Sequence, residues 1–170
     1  MSFILRPFDE NDFAAAMEFA DDPATPFSVP PLPAADAVSV VRLFEQYRLS
    51  GELLHLVIAD VESDAYLGEV MVMMCEHQTG ELGCGIVPRA RGQGVATEAL
   101  GLLATWSLTA LDLRRLQVLV AQNNQPALQL AERVGFRREG LLRSYWEQDG
   151  NRLDVVMFSM LPSENPGGNA

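Results

Sequence analysis

Lysine is absent from this 170-residue sequence, and cysteine and histidine occur only twice each. A Walker A phosphate loop, a pyridoxal Schiff base and a lysine nucleophile all require a lysine side chain, so these chemistries are excluded. Two cysteines cannot build a disulfide framework, and their scarcity favours a reducing setting. No apolar run approaches the roughly 20 residues that cross a bilayer, and Arg6 and Pro7 interrupt any signal-peptide core. We therefore expect a soluble, cytoplasmic protein with no membrane partner.

Positive charge is scarce as well, since 12 arginines face 23 acidic residues and the net charge is -11 at pH 7. This balance argues against broad binding to nucleic-acid phosphates. The charge is also uneven, because residues 1–88 carry -12 and residues 89–170 carry +1. Acidic walls in the first half would concentrate a cationic amine. An acidic face kept only for solubility would produce the same pattern.

Hydrophobic spacing predicts one mixed α/β domain over residues 1–161, built around a single sheet in the order β-α-α-β-β-β-α-β-α-β-β. A first helix is expected after the N-cap Asp9, and a second after a proline-rich surface loop over 23–33. The other helices are expected from Gly92 to about Leu111 and over 124–134. Strands are expected over 3–6, 53–59, 66–74, 80–87, 116–121, 136–145 and 153–161. The last residues, 162–170, are expected to form a flexible tail.

The segment between the fourth strand and the third helix carries the pattern Arg-x-x-Gly-x-Gly from Arg89 to Gly94. Main-chain N–H groups at a helix N-terminus, together with the helix dipole, form a site suited to phosphates. Glycine lets a phosphate approach the backbone, so we expect Gly94 to have no room for a side chain. Arg89 and Arg91 are expected to add charge at the rim. The segment does not match the dinucleotide-binding fingerprint G-x-G-x-x-G, because Thr97 occupies the position of its third glycine.

The pattern Arg89-x-x-Gly92-x-Gly94-x-Ala96 resembles the pyrophosphate-binding motif of the GNAT acyl-coenzyme A N-acyltransferases. Residues 81–86, 92–99, 132–136 and 139–154 are similar to the ribosomal-protein (alanine) N-terminal acetyltransferase branch, so the resemblance covers roughly residues 3–161. It implies a twisted, mostly antiparallel mixed sheet flanked by helices. It also implies transfer of an acetyl group from acetyl-CoA to a primary amine, for example a protein N-terminus, by a monomer or homodimer. There are two alternatives to this function. The acceptor could be a small amine such as an aminoglycoside or polyamine, or the protein could be a non-catalytic acyl-CoA-binding module.

The resemblance also assigns roles to residues. It implies direct attack of a neutral amine on a thioester that is polarised by strand amides near Ile86, with Glu81 and Glu69 as candidate bases. Ala127 and Ala131 occupy the positions of the family's usual serine and of the tyrosine that protonates the departing thiolate. Water, Tyr145 or Cys84 is therefore expected to supply that proton. The implied cofactor contacts are Ile86, Val87, Arg89, Arg91, Gly92, Gln93, Gly94, Val95, Ala96 and Asn124.

Several residues admit a second interpretation. Asn124 is also a suitable N-cap, with Pro126 in the first helical turn. Cys75, His77 and Cys84 could be imagined as zinc ligands, but their spacing is unusual and a fourth ligand is not evident, so no metal is expected. A Cys84 nucleophile lacks an evident base beside it. His55 is expected to face a polar neighbour in its strand. Trp106 and Phe136 are expected in the core.

Overall fold

The computed structural model describes residues 2–20, 36–148 and 150–167, and it contains the predicted order of helices and strands. The predicted proline-rich loop over 23–33 lies outside these residues. Seven strands form one mixed sheet in the order β1-β2-β3-β4-β5-β7-β6. The elements are β1 (Phe3–Arg6), α1 (Phe13–Ala20), α2 (Ala37–Ser50), β2 (Leu53–Asp60), β3 (Tyr66–Cys75), β4 (Thr79–Ile86), α3 (Val95–Ala110), β5 (Arg115–Ala121), α4 (Gln125–Val134), β6 (Arg137–Gln148) and β7 (Asn151–Met160).

The chain divides into two compact units, of which the first comprises Met1–Met74 and Gly83–Leu100. Here β1, β2 and β3 pair as antiparallel neighbours, and Val57 of β2 lies opposite Glu69 of β3. Helix α2 begins after Asp36, whose carboxylate accepts a hydrogen bond from Ser39 N at 2.9 Å. The helix ends at a glycine in the left-handed conformation. The buried apolar residues of β2 and β3 form the core of this unit.

The second unit comprises Cys75–Leu82 and Gly101–Ala170. Strand β5 pairs in parallel with β4, where Glu81 lies opposite Gln117, and antiparallel with β7. Strand β6 pairs only with β7 in this order and so forms one edge of the sheet. Helix α4 begins after Asn124, as predicted, and ends at Gly135 with φ +104°. These strands and α4 carry the segments 132–136 and 139–154, which resemble the acetyltransferase family.

Helix α3 differs from its prediction at two points. It begins at Val95 rather than at Gly92, because Gly92 (φ +74°) and Gly94 (φ +83°) adopt left-handed conformations that a right-handed helix cannot include. Trp106 is 42% exposed and lies outside the core, whereas Phe136 is buried as predicted. The spacing of apolar residues pointed to a stripe through Trp106. The buried stripe of α3 instead runs through Ala99, Leu100, Leu103, Ala104 and Leu108.

Part of the segment expected to be a flexible tail is described. Residues 162–164 form a short 3-10 turn, and Asn165 is buried. Thr105 of α3 donates a hydrogen bond to Asn165 Oδ1 at 3.0 Å. Arg137 of β6 pairs with Glu164 at 3.0 Å. Within the described residues, no helix is both long and apolar enough to cross a membrane.

A cross-strand ion pair gives this fold a defined acid sensitivity. Arg115 of β5 donates to both carboxylate oxygens of Glu139 at 2.7 and 2.6 Å, and Ser159 donates to one of them at 2.6 Å. Arg115 and Ser159 together lower the pKa of Glu139 to about 2. A carboxylate whose pKa is lower in the folded than in the unfolded protein stabilises the fold at pH values above the unfolded pKa. That stabilisation is lost as the pH falls through the folded pKa.

We expect Glu139→Gln to lower the free energy of unfolding at pH 7 by up to about 1 kcal/mol, since the side chain is partly exposed to solvent. The difference from the wild type should shrink between about pH 4.5 and pH 2. Urea unfolding followed by circular dichroism measures it. Glu147→Gln is the control, because Glu147 meets Arg152 only at 3.6 Å. A difference that stays constant with pH would contradict this assignment.

Candidate active site

The loop between β4 and α3 presents unpaired main-chain N–H groups. Its first residues form a 3-10 turn, in which Ala90 N donates to Val87 O at 3.0 Å. The first hydrogen bond of α3 runs from Glu98 N to Gly94 O at 3.1 Å. The N–H groups of residues 95–97 therefore have no acceptor within the helix. Together with the helix dipole, they form a site that favours an anion.

The glycines of this loop are required by backbone conformation rather than by crowding. A Cβ placed on Gly92 or Gly94 would meet no atom within 4 Å, so the expectation that Gly94 has no room for a side chain is wrong for the protein's own atoms. Both glycines have a positive φ, which L side chains rarely adopt. Gly92 and Gly94 are themselves exposed, with open space where a side chain would begin.

The two arginines of the motif hold the loop in place. Arg89 Nη2 donates to the main-chain oxygen of Tyr66 at 2.5 Å, and Arg91 Nε donates to the main-chain oxygen of Ile86 at 2.9 Å. Gln93 Nε2 donates to Arg89 O at 3.0 Å. The sequence suggested that Arg89 and Arg91 only add charge at the rim of the anion site. In the structure, both side chains also donate hydrogen bonds to main-chain oxygens of β3 and β4. Their positive charges nevertheless remain beside the loop amides.

Strand β3 approaches the end of β4 at Gly68. A Cβ on Gly68 would lie 2.1 Å from Gly85 O, so only glycine fits here. Val87 N donates to Leu67 O at 2.9 Å. The amide of Val87 is therefore engaged by β3.

Glu69 lies in a buried polar cluster. Its Oε2 atom lies 3.0 Å from His55 Nε2 and accepts a hydrogen bond from Tyr66 OH at 3.1 Å. The ring of Phe44 stacks on His55 at a centroid distance of 3.9 Å. Glu69 is only 4% exposed, and burial followed by its charge raises the pKa of Tyr66 far above its ordinary value. His55 thus faces a polar neighbour as predicted, while Glu69 is covered.

Glu81, the other candidate base, has a different environment. It is half-buried on β4, and Gln117 of β5 donates from Nε2 to Glu81 Oε2 at 2.8 Å. This hydrogen bond fixes the orientation of the carboxylate. Gln117 was not identified from the sequence. The available signal was a polar residue inside a strand that is otherwise apolar after Arg115.

The environments of both cysteines disfavour the thiolate form. Burial, followed by the charge of Glu69, raises the pKa of the Cys84 thiol to about 12. Burial, followed by the charge of Glu81, also raises the pKa of Cys75. Because the thiolate is the nucleophilic form, both shifts oppose thiolate chemistry. No group of residues that could hold a metal occurs in the parts of the chain that the structure describes.

The remaining predicted residues lie at the end of β5 and on β6. Asn124 caps α4, and its Oδ1 accepts a hydrogen bond from Ala127 N at 3.2 Å. Ala127 and Ala131 of α4 have no ionisable side chain, so the helix supplies no acid at these two positions. Tyr145 lies on β6 with half of its surface exposed.

Comparison with known proteins decides the family. The family model described as the acetyltransferase (GNAT) domain matches residues 2–137 of this sequence. The chain belongs to the GNAT acetyltransferase family. Its seven-stranded α/β fold and the loop before α3 are those that the sequence resemblance implied.

Relatives of this GNAT acetyltransferase include p20 of Bacillus licheniformis, which is named as an uncharacterized N-acetyltransferase. It is 29% identical over 172 residues, which cover 96% of this chain and 94% of that protein. YdaF of Bacillus subtilis, named provisionally as a ribosomal N-acetyltransferase, is 31% identical over 91 residues, covering 54% of this chain and 50% of that protein. Both names support the N-acetyltransferase activity of the family.

Solved structures confirm the GNAT fold. Spermidine N-acetyltransferase from Vibrio cholerae, in complex with CoA and spermine, matches with a TM-score of 0.80 and 21% identity, covering 96% of this chain and 97% of that one. A chimera of that enzyme with hSSAT matches with a TM-score of 0.82 and 22% identity, covering 98% of this chain and 99% of that one. At this identity the likeness concerns the fold alone.

Proposed function

We propose that this GNAT N-acetyltransferase uses acetyl-CoA as its donor and a cationic primary amine as its acceptor. The observation that carries the choice of donor is the set of N–H groups at residues 95–97 that have no acceptor within the helix, directly after two glycines with positive φ. Such a set fits a pyrophosphate. The main chain of residues 92–96 would hold the pyrophosphate. Arg89 and Arg91 would shape the loop, and Asn124 would contact the pantetheine arm.

The reaction is a direct acyl transfer. The neutral amine nitrogen attacks the thioester carbonyl carbon, the C–S bond breaks, and the amide product and coenzyme A thiolate form. The proton lost by the nitrogen passes to Glu81, directly or through a water molecule. We assign this role to Glu81 because its carboxylate is half-buried and oriented by Gln117, whereas Glu69 is covered by its own hydrogen-bonding partners.

The departing thiolate needs a proton, and neither Ala127 nor Ala131 can give one. A thiol with a pKa near 8.5 is already a good leaving group, so water suffices as the proton donor. We accordingly expect kcat/KM to rise with pH to a plateau, because deprotonation of the amine controls the rate.

The acceptor class follows from the charge of the chain. Residues 1–88 carry a net charge of -12, and acidic surroundings concentrate cations. Two kinds of acceptor are cationic amines that acidic surroundings would attract: a protein N-terminus in a basic segment, and a polyamine. We further propose that the protein is cytoplasmic and that it is a monomer or a homodimer.

Salt should weaken recognition of the acceptor. We expect the KM of a polycationic amine to rise as ionic strength increases from about 0.01 M to 0.15 M, where the Debye length falls from about 30 to 8 Å. Initial rates with spermidine measure this, and butylamine, which has no second charge, is the control. A preference for anionic acceptors, or a spermidine KM that ignores salt, would contradict the proposed class.

A panel of amines tests the function itself. Release of the coenzyme A thiol is measured with acetyl-CoA and, in turn, a basic peptide with a free N-terminus, spermidine and an aminoglycoside. Release that depends on an amine supports the transferase, and the best substrate identifies the acceptor. Binding of acetyl-CoA without release on any amine would favour a non-catalytic binding module.

A further inference from the structure

Strand β3 contains an extra residue opposite β2. Ile58 of β2 lies opposite Gly68, whereas its neighbour Ala59 lies opposite Tyr66, so Leu67 has no partner in this register. An extra residue of this kind is a β-bulge, which bends its strand and redirects the groups around it. Bulges are over-represented next to active sites. We call the three residues from Tyr66 to Gly68 the β3 bulge.

The main chain of the β3 bulge holds the loop between β4 and α3 at two points. Tyr66 O accepts a hydrogen bond from Arg89 Nη2 at 2.5 Å, and Leu67 O accepts one from Val87 N at 2.9 Å. The residue that has no partner on β2 thus supplies a carbonyl to the start of the loop. The position of these two oxygens therefore influences where the loop presents its N–H groups.

A side-chain hydrogen bond closes the β3 bulge. In a regular strand, residues three positions apart point to opposite faces of the sheet. Tyr66 and Glu69 are three positions apart, yet Tyr66 OH donates to Glu69 Oε2 at 3.1 Å. The extra residue, Leu67, brings the two side chains to the same side. Because this contact requires the bulged register, it stabilises the bulge relative to a regular strand.

The surroundings of Tyr66 and Glu69 hold both side chains in place. Both residues are buried. Glu69 Oε2 also lies 3.0 Å from His55 Nε2, and Phe44 of α2 stacks on the His55 ring at a centroid distance of 3.9 Å. The ring of Phe19 lies 6.3 Å from that of Tyr66. Burial strengthens a hydrogen bond to a carboxylate, because water does not compete for it.

We propose that Tyr66 and Glu69 are positioning residues for the loop that binds the donor. Their hydrogen bond keeps the β3 bulge in the register whose carbonyls hold Arg89 and Val87. Both residues act through the bulge and not by touching acetyl-CoA. Both roles rest on the proposed function, because the loop in question is the one assigned to the pyrophosphate.

The first measurement is the affinity for acetyl-CoA in Tyr66→Phe, which removes the hydroxyl and keeps the ring. We expect the Kd to rise about 10-fold, which equals about 1.4 kcal/mol and is close to the lower end of the contribution of a hydrogen bond to a charged group. At saturating acetyl-CoA, kcat and the KM of spermidine should stay close to those of the wild type, because Glu81 and Gln117 lie on β4 and β5. Calorimetry and steady-state rates measure these quantities.

The second measurement is amide hydrogen exchange of the protein without ligand, followed by NMR. The Val87 N–H is protected by Leu67 O in the wild type. Tyr66→Phe should make it exchange about 10-fold faster, since a looser bulge allows local opening. The Gln122 N–H, which donates to Asp154 O at 3.0 Å in the other compact unit, should keep its rate.

Ser159→Ala is the matched control. Ser159 Oγ donates to Glu139 Oε1 at 2.6 Å, so this variant also removes one hydroxyl bound to a glutamate, but in the other compact unit. It should leave the Kd of acetyl-CoA and the exchange of Val87 unchanged. Glu69→Gln keeps an acceptor oxygen for Tyr66, so it should change both quantities in the same direction but less. If Tyr66→Phe does not fold, Glu69→Gln is compared with Ser159→Ala instead.

The inference requires both changes in Tyr66→Phe. A wild-type Kd, or a wild-type exchange rate at Val87, would overturn it, and so would effects of the same size in Ser159→Ala. A wild type that binds no acetyl-CoA would instead overturn the proposed function. In that case faster exchange of Val87 in Tyr66→Phe would still support the role of the β3 bulge in positioning the loop.

Discussion

Replacing Gly94 by aspartate is expected to abolish binding of acetyl-CoA while the fold persists. Gly94 has φ +83°, where an L side chain is strained by roughly 1–2 kcal/mol. The added carboxylate would also occupy the open space in front of the N–H groups of residues 95–97 and repel a pyrophosphate. Loss of even two charge-assisted hydrogen bonds weakens binding by on the order of 100-fold or more. Calorimetry with acetyl-CoA measures the affinity, and circular dichroism checks the fold.

Gly51 offers a matched control for this variant. It also has a positive φ, of +74°, and a Cβ there would meet no atom within 4 Å. Gly51→Asp therefore introduces the same kind of strain and the same charge at the end of α2, away from the loop. We expect it to keep the wild-type affinity. If Gly94→Asp bound acetyl-CoA as tightly as Gly51→Asp, the loop would not be the pyrophosphate site.

Replacing Glu81 by glutamine is expected to lower kcat by roughly 10²–10⁴-fold, the usual contribution of a positioned acid or base. The amide can still accept the hydrogen bond from Gln117, so the KM of acetyl-CoA should change little. In the wild type, kcat/KM should rise with pH to a plateau and show no alkaline fall from a tyrosine near pKa 10. Steady-state rates across pH measure both effects.

Glu69→Gln is the informative comparison, because Glu69 is the other candidate base. Its carboxylate accepts from Tyr66 and pairs with His55 in a buried cluster, so the variant should lower the free energy of unfolding more than it lowers kcat. A large loss of kcat in Glu69→Gln, together with a nearly normal Glu81→Gln, would move the base to Glu69. Loss of activity in Tyr145→Phe or Cys84→Ala at normal acetyl-CoA affinity would identify a dedicated acid.

The elements that sequence reasoning located well are those governed by local chemistry. Asp9 and Asn124 are residues that cap helices, and both do so in the structure. The order of elements followed from switches between helical and strand spacing. The loop from Arg89 to Gly94 was visible because its glycines separate a strand from a long helix. The start of α3 and the core position of Trp106 were predicted wrongly, since spacing alone does not show which glycines are left-handed or which side of a helix is covered.

The features that sequence reasoning missed depend on contacts between distant segments. Gly68 lies against Gly85 because β3 and β4 are neighbours, and Arg89 reaches the main chain of Tyr66 for the same reason. Residues 143–145 of β6 form a bulge opposite Asp154 of β7, which depends on a change of register between the two strands. Glu69 and Glu81 could not be ranked from the sequence, because their difference lies in burial and in partners on other strands. A single sequence contains no direct record of such pairings.

We propose that this chain moves an acetyl group from acetyl-CoA to a cationic primary amine. The most direct measurement incubates the protein with acetyl-CoA and spermidine or a basic peptide, then quantifies released coenzyme A thiol and acetylated amine by mass spectrometry. We expect one thiol to be released for each acetylated amine, with both products lost in Gly94→Asp and kept in Gly51→Asp. Acetyl-CoA binding with no acetylated amine, or acetylation that persists in Gly94→Asp, would contradict it.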